Sequence, residues 1–240
     1  MLKSNERYDD LMFKGLKIIQ NASGYCFTQD SVILSHYVKA TAKDILVDLG
    51  TGSGIIAILC AKKTQAKKII GIELQDRLCD MAKRSVLANN LEDKVEIIQD
   101  NIQNINTAIG SYCYDVVCTN PPYDKKSIEN PCEIDICKNE IEITLEQIIK
   151  SAEKLLKFGG RFYMIHRAER LTDIITLMRD NNIEPKRLTP IQPTPKKDID
   201  TIVIEGKKGA KPCINFDKPI IIYDNKGEMT KEAKNIYNID

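Results

Sequence analysis

Between residues 45 and 165 the apolar positions come in two alternating kinds of block. Runs of four to six residues without helical period, at 45–48, 68–72, Val95–Gln99, Tyr114–Thr119 and 161–165, read as strands of a sheet covered on both faces. The longer stretches between them read as helices. One is Ile55–Lys63, apolar almost throughout. A second, 75–90, places Leu78, Met81, Ala82, Ser85 and Ala88 at three- and four-residue steps, which predicts a buried stripe. A third opens at Thr144-x-x-Gln147, a capping box, and turns Leu145, Ile148, Ile149, Ala152, Leu155 and Leu156 inward. Gly159-Gly160 is expected to turn the chain into strand 161–165, and a further helix spans 171–181. Strand and helix in strict alternation predict an α/β fold with a mostly parallel sheet and helices on both faces.

The two ends follow a different pattern. Residues 16–20 read as a short strand, Asn21-Ala22-Ser23-Gly24 as a turn, and 25–28 as the return strand of a hairpin. Thr28 then caps a helix carrying Val32, Ile33, His36 and Tyr37, on which His36 is expected to pack rather than do chemistry. Late in the chain Pro185, Pro190, Pro193 and Pro195 punctuate an edge strand and loop ahead of strand 201–205, an antiparallel pair. The tail, 220–240, reads as one strand and a short helix. These patterns predict one domain over residues 1–240: an N-terminal hairpin and helix (1–40), a Rossmann-like core (41–206) and a C-terminal extension (207–240).

Charge adds one constraint. Lys and Arg number 35 against 34 Asp and Glu, so a formal charge of +1 supplies no general attraction to nucleic acid, and any such site must be a local patch. Lys186, Arg187, Lys196, Lys197, Lys207, Lys208 and Lys211 are the candidates for one. Residues 1–20 lack the apolar segment of a signal peptide, and the longest apolar run, 55–61, is too short for a bilayer. A soluble cytoplasmic protein is expected, with no membrane association and no obligate protein partner. The eight cysteines read as reduced small hydrophobes, and the spacings Cys113-x4-Cys118 and Cys132-x4-Cys137 contain no C-x-x-C, so no metal is expected.

The candidate chemistry gathers at successive strand ends. Strand 45–48 ends at Asp48 and runs into Leu49-Gly50-Thr51-Gly52-Ser53-Gly54, whose glycines permit a tight turn and close approach of backbone N–H groups to a polar ligand. Strand 68–72 ends in Glu73, about 20 residues on, where such folds bind ribose hydroxyls. Val95–Gln99 ends in Asp100-Asn101, and Tyr114–Thr119 ends in Asn120-Pro121-Pro122-Tyr123. Prolines cannot continue a ladder, so the last of these is a stiff turn between an amide and an aromatic ring. The Asn120 carbonyl and neighbouring backbone carbonyls can accept both hydrogens of a planar amino group, while Tyr123 offers a face for a flat base or amide. Residues 124–143, polar and without period, read as a lid-like loop beside this site.

Asp48-Leu-Gly-Thr-Gly-Ser-Gly54, Glu73, Asp100 and Asn120-Pro-Pro-Tyr123 together resemble the motifs of class I S-adenosylmethionine-dependent methyltransferases that modify an amino nitrogen. Within them the chain is most similar to the methyltransferase small domain group, and to its bacterial enzymes acting on adenine N6 in tRNA(Val). Supporting segments are Phe27-Thr-Gln-Asp-Ser31, Gly159-Gly-Arg-Phe162, His166-Arg-Ala-Glu-Arg170 and Glu205-Gly-Lys-Lys-Gly209. Asn139 departs from the pattern, since relatives often carry His before the position of Glu140. The resemblance implies a seven-stranded Rossmann-like sheet with a C-terminal antiparallel hairpin. S-adenosylmethionine is the implied cofactor, at Phe27, Asp48, Gly50, Thr51, Gly52, Gly54, Glu73, Asp100, Asn101 and Asn120. It implies catalysis by Asn120, Pro121, Pro122 and Tyr123 on an adenine of tRNA, the anticodon-adjacent one of tRNA(Val). The turn itself leaves alternatives open, because a glutamine N5-methyltransferase acting on a release factor must hold a similar planar amide. DNA adenine methylation and a noncatalytic nucleotide- or NAD-binding protein are further readings, the last of which leaves Asn120–Tyr123 without a role.

Overall fold

The computed structural model describes residues 2–21, 29–122 and 143–239. The strand expected over 25–28, the cap at Thr28, Phe27, Tyr123, Cys132, Cys137, Asn139, Glu140 and nearly all of the 124–143 segment lie outside these residues. In chain order the elements are β1 (Glu6–Asp10), β2 (Lys17–Asn21), α1 (Gln29–Tyr37), β3 (Ile45–Leu49), α2 (Ile55–Lys63), β4 (Lys68–Glu73), α3 (Asp76–Ala88) and β5 (Val95–Gln99). They continue with α4 (Ile105–Ile109), β6 (Tyr114–Thr119), α5 (Leu145–Leu155), β7 (Leu156–Arg167), a 3-10 turn at Ala168–Arg170 and α6 (Leu171–Asp180). Last come β8 (Ile183–Gln192), β9 (Thr201–Lys208), β10 (Asn215–Phe216), β11 (Ile220–Ile221) and α7 (Lys231–Tyr237).

The main sheet has the order β10-β8-β9-β7-β6-β3-β4-β5, with β11 also on β8. Its seven long strands are the expected ones. Two-residue β10 and β11 extend it, both parallel to β8 and covering an edge that the prolines were expected to leave open. β3 to β7 run parallel, while β9 inserts antiparallel between β7 and β8. Side chains of these strands alternate between two cores. Leu46, Val116, Cys118, Tyr163 and Ile165 face α1, α2, α3 and α7, while Val47, Val117, Phe162 and Met164 face α4, α5 and α6. A strand covered on both faces needs apolar residues on both, hence the consecutive Val116, Val117 and Cys118 of β6. α2 is buried from Ile55 through Ala61, which explains its lack of a polar face.

Three expectations are corrected. The stripe on α3 is Cys79, Met81, Ala82, Ser85 and Val86; Ala88 is exposed, because the helix also supports β2 and its inward face is rotated to meet it. Gly159-Gly160 does not precede β7 but lies within it, at a register irregularity where Tyr114 pairs with Leu156 and Val116 with Arg161. A Cβ on Gly160 would sit 2.9 Å from both Leu156 Cδ2 and Lys157 O. Apart from these corrections, β2 pairs antiparallel with β1, a preceding strand that the polar run Glu6-Arg7-Tyr8-Asp9-Asp10 did not announce; the return strand expected over 25–28 lies outside the described residues. Tertiary contacts hold β1: Arg84 of α3 donates to both carboxylate oxygens of Glu6 at 2.7 Å, which keeps that carboxyl below its ordinary pKa.

The third correction concerns the basic strip, which the topology divides. β9 runs from Thr201, level with Arg167, to Lys208 near the start of β7. Lys196 and Lys197 therefore lie at the edge where the parallel strands end, and Lys207, Lys208 and Lys211 lie at the opposite edge. Lys208 is also buried, its Nζ bonded to Glu153 O at 2.5 Å and Leu156 O at 2.9 Å and paired with Glu153 Oε1 at 2.7 Å. Among the described residues no helix is long and apolar enough to cross a membrane, and no three His, Cys, Asp or Glu side chains form a metal-ligand set.

Candidate active site

β5, β4, β3 and β6 are consecutive in the sheet and parallel, so Asp100, Glu73, the glycine loop and Asn120 emerge side by side at one edge. Chain order reverses at β3, which has β4 on one side and β6 on the other. Open α/β sheets bind ligands in the crevice at such a switch point. Leu49 pairs with Thr119, and the Thr119 hydroxyl donates to Leu49 O at 2.9 Å. Gly50 and Asn120 are thus the next residues on adjoining strands.

Gly50 and Gly52 have φ of +71° and +58°, a region that side chains disfavour, and a Cβ at either would meet no atom within 4 Å. These two glycines leave room above the loop that a ligand can occupy. Beneath it the loop is tied on three sides. Thr51 N donates to Ile72 O at 2.9 Å, Thr51 Oγ1 donates to Asp48 Oδ2 at 2.5 Å, and Gly52 N donates to Glu73 Oε2 at 2.8 Å. Glu73 Oε1 accepts from Gln75 N at 2.9 Å, just ahead of α3. A carboxylate accepts about four hydrogen bonds, the acceptor chemistry that ribose hydroxyls require. Loop, crevice space and acidic strand end fit a nucleoside-bearing cofactor.

Asp48, Thr51, Gly54 and Glu73 are all buried, and of these Asp48 and Thr51 lie beneath the loop. Asp48 is fully buried and Thr51 nearly so. They support the loop from below instead of presenting a surface to a ligand. Burial pushes the Asp48 carboxyl up to about 7, against opposing hydrogen bonds from Thr51, Cys118 and the Ala57 backbone. Cys118, on β6, reaches Asp48 Oδ1 at 3.7 Å, and the same burial raises its thiol well above the ordinary value. Asp100 and Asn101 are half-buried in the turn before α4, where Asp100 Oδ1 accepts from Asn101 N and Asn101 Oδ1 from Gln103 N.

At the end of β6 Asn120 is half-buried, Pro121 buried and Pro122 exposed. Asn120 Nδ2 donates to Ser31 Oγ of α1 at 3.0 Å. On the other flank Gln20, buried at the end of β2, donates to Ser53 Oγ of the glycine loop at 2.7 Å. Neither Gln20 nor Ser31 stood out as a site residue in the sequence, since 33 and 89 positions separate them from their partners. The two histidines are accounted for. His36, in the last turn of α1, is pushed down to about 4 by burial and by Lys63 and Lys39, so it is neutral at physiological pH. His166 is buried within β7, and Arg167 stands partly exposed beside it, facing Asp200 at 3.9 Å. Neither caps α6, whose N-cap is Arg170 without a side-chain bond.

A parallel sheet with one inserted antiparallel strand, a glycine loop and a proline-stiffened amide turn at its switch point define a class I methyltransferase architecture. The methyltransferase small domain family matches residues 27–180, and the chain belongs to it. Among curated relatives it is 26% identical over 234 residues to the tRNA1(Val) (adenine(37)-N6)-methyltransferase of Porphyromonas gingivalis, covering 93% of this chain and 91% of that one. To the same-named protein of Pseudoalteromonas translucida it is 24% identical over 188 residues, 78% of this chain and 79% of the relative. Of solved structures, the Agrobacterium tumefaciens protein Atu636, a predicted O-methyltransferase, superposes with a TM-score of 0.70 at 19% identity, over 88% of this chain and 96% of the other. Pyrococcus horikoshii TYW2, solved with MeSAdo, gives 0.63 at 12% identity, over 88% and 74%.

Proposed function

We propose that this protein transfers a methyl group from S-adenosylmethionine to N6 of an adenine in tRNA, the anticodon-adjacent adenine of tRNA(Val). The register that sets Asn120 beside Gly50 carries this reading, because it puts a holder for a planar amine next to a holder for the cofactor. The names of the relatives at nearly full length support the choice of acceptor.

In this reading Gly50 and Gly52 admit the methionine end of the cofactor while Gly54, where a Cβ would sit 3.2 Å from Ala82, lets α2 start close against α3; Glu73 accepts from its ribose hydroxyls, and Asp100 with Asn101 borders its adenine. Phe27 and Tyr123, outside the described residues, are assigned to the cofactor and to the target base. When bound, S-adenosylmethionine supplies an electrophilic methyl group on a sulfonium. The chain's task is to present the amine. Adenine N6 is a poor nucleophile because its lone pair is delocalised into the ring. Hydrogen bonds from its two N–H groups to Asn120 Oδ1 and the Pro121 carbonyl favour an sp3-like nitrogen with its lone pair aimed at the methyl, an orientational and electrostatic contribution. The proton leaves N6 after the bond forms, so no side chain has to remove it beforehand. Extruding the base costs a few kcal/mol, which stacking on Tyr123 of roughly 1–3 kcal/mol offsets.

Asn120→Ala should lower the single-turnover rate by roughly 100-fold or more, the scale for loss of one preorganised transition-state hydrogen-bonding group. Affinity for S-adenosylhomocysteine should stay within about twofold, since the cofactor is held from three other strand ends. Unmodified tRNA and a release-factor protein are offered side by side, with the product nucleoside mapped. Label in the protein alone would overturn the RNA reading, and near-normal tRNA methylation by Asn120→Ala would overturn the mechanism.

A further inference from the structure

We infer that Ser31 is a positioning residue for methyl transfer: its hydroxyl holds the Asn120 side chain in the one orientation that accepts a hydrogen from a planar amine. The inference rests on the amino-methylation reading, though not on whether the amine belongs to adenine or to glutamine.

An asparagine amide has an acceptor at one end and two donors at the other, and rotating it by half a turn exchanges them. Oxygen toward the substrate accepts an N–H. Nitrogen toward the substrate sets donors against donors, which expels the amine. The turn at Asn120-Pro121-Pro122 stiffens the backbone but leaves this rotation undecided. Ser31 favours one setting by accepting from Nδ2 at 3.0 Å, which turns Oδ1 away from α1.

Ser31 is placed to do this firmly. It is 5% exposed, in the first turn of α1, and α1 packs against α2, β7 and α7. Two residues earlier, Gln29 Oε1 accepts from the Tyr237 hydroxyl of α7 at 3.3 Å, tying the start of α1 to the last helix. The other party is equally constrained, because Thr119 anchors the end of β6 to Leu49 O. The first helix and the C-terminal helix, both outside the strand–helix repeat, thereby bear on a catalytic amide.

The test measures single-turnover methylation, S-adenosylhomocysteine affinity and melting temperature for Ser31→Ala and Ser31→Thr, with tRNA and release factor as parallel acceptors. Ser31→Ala should slow transfer about three- to tenfold, the range for one uncharged hydrogen bond. Cofactor affinity should remain within twofold. Ser31→Thr, which keeps the hydroxyl, should return the rate to within about twofold of the parent. A parent-like rate in Ser31→Ala overturns the inference. So does an equal loss in Ser31→Thr, or a loss that tracks cofactor affinity or melting temperature, since each marks a packing role. A wild-type protein that labels neither acceptor overturns the reading beneath it, whereas normal wild-type labelling with an insensitive Ser31→Ala overturns this inference alone.

Discussion

Replacing Asp48 by Asn should raise stability relative to the wild type by an amount that grows as pH rises from about 5 to 8. The carboxyl has no exposure, and its pKa in the folded protein is about 7 against an ordinary 3.8. Below the ordinary value both folded and unfolded chains hold the proton, and Asp48 costs nothing. As pH rises the unfolded chain releases its proton first, so stability falls until the folded carboxyl ionises near 7, and is level above that. A shift of about three units at about 1.4 kcal/mol each makes the full cost about 4 kcal/mol, of which about 2.5 kcal/mol develops between pH 5 and 8. For a chain of this length that corresponds to roughly 5–10 °C in melting temperature. His36 acts with the opposite sign. Its pKa is lowered to about 4, so its contribution is lost as pH falls from 6.5 toward 4, and it partly masks Asp48 in the wild type. The measurement is therefore the difference between wild type and Asp48→Asn in urea unfolding at pH 5, 6, 7 and 8. The mutant should gain relative stability at each step upward. Parallel profiles for the two proteins would refute the burial argument.

Other outcomes follow from particular contacts. Glu73→Ala removes the expected ribose acceptor together with the anchors of Gly52 N and Gln75 N, so S-adenosylhomocysteine affinity should fall by at least about 1.5–3 kcal/mol; unchanged calorimetry would remove Glu73 from the cofactor site. Lys196→Glu with Lys197→Glu, at the site edge, should flatten the salt dependence of tRNA binding by up to about two units of slope, and a slope equal to wild type would exclude them as phosphate contacts. Lys208→Glu should instead unfold the protein, losing about 3–5 kcal/mol, because it sets a second carboxylate beside Glu153 and two carbonyls; a stable variant in urea would contradict the buried pair. Gln103→Met should raise stability by about 1–2 kcal/mol, since the Gln103 side-chain nitrogen is buried without a partner among the described residues; a lower melting temperature would show that the amide is bonded.

Most of what decides function here was written locally. A strand that ends in Asn120-Pro121-Pro122, a loop that needs positive φ at Gly50 and Gly52, and acids at two further strand ends are features of a few neighbouring residues. The alternation of apolar blocks then sufficed to bring those ends to one edge, because parallel strands joined by crossover helices all finish on the same side. Contacts between residues distant in the chain were not legible. Charge on Lys208 looked like surface until the β9 ladder turned it inward onto Glu153, and Asp48 looked like a ligand-facing acid until the sheet and α2 closed around it. β1 carries no apolar signal because Arg84, 78 residues away, satisfies Glu6. Ser31 and Gln20 reach Asn120 and Ser53 only after the helix and hairpin dock, and a single hydrogen bond across such a separation leaves no period or spacing to read. Local sequence determined which groups stand at the strand ends, and tertiary packing decided which of them face the crevice and which hold the others in place.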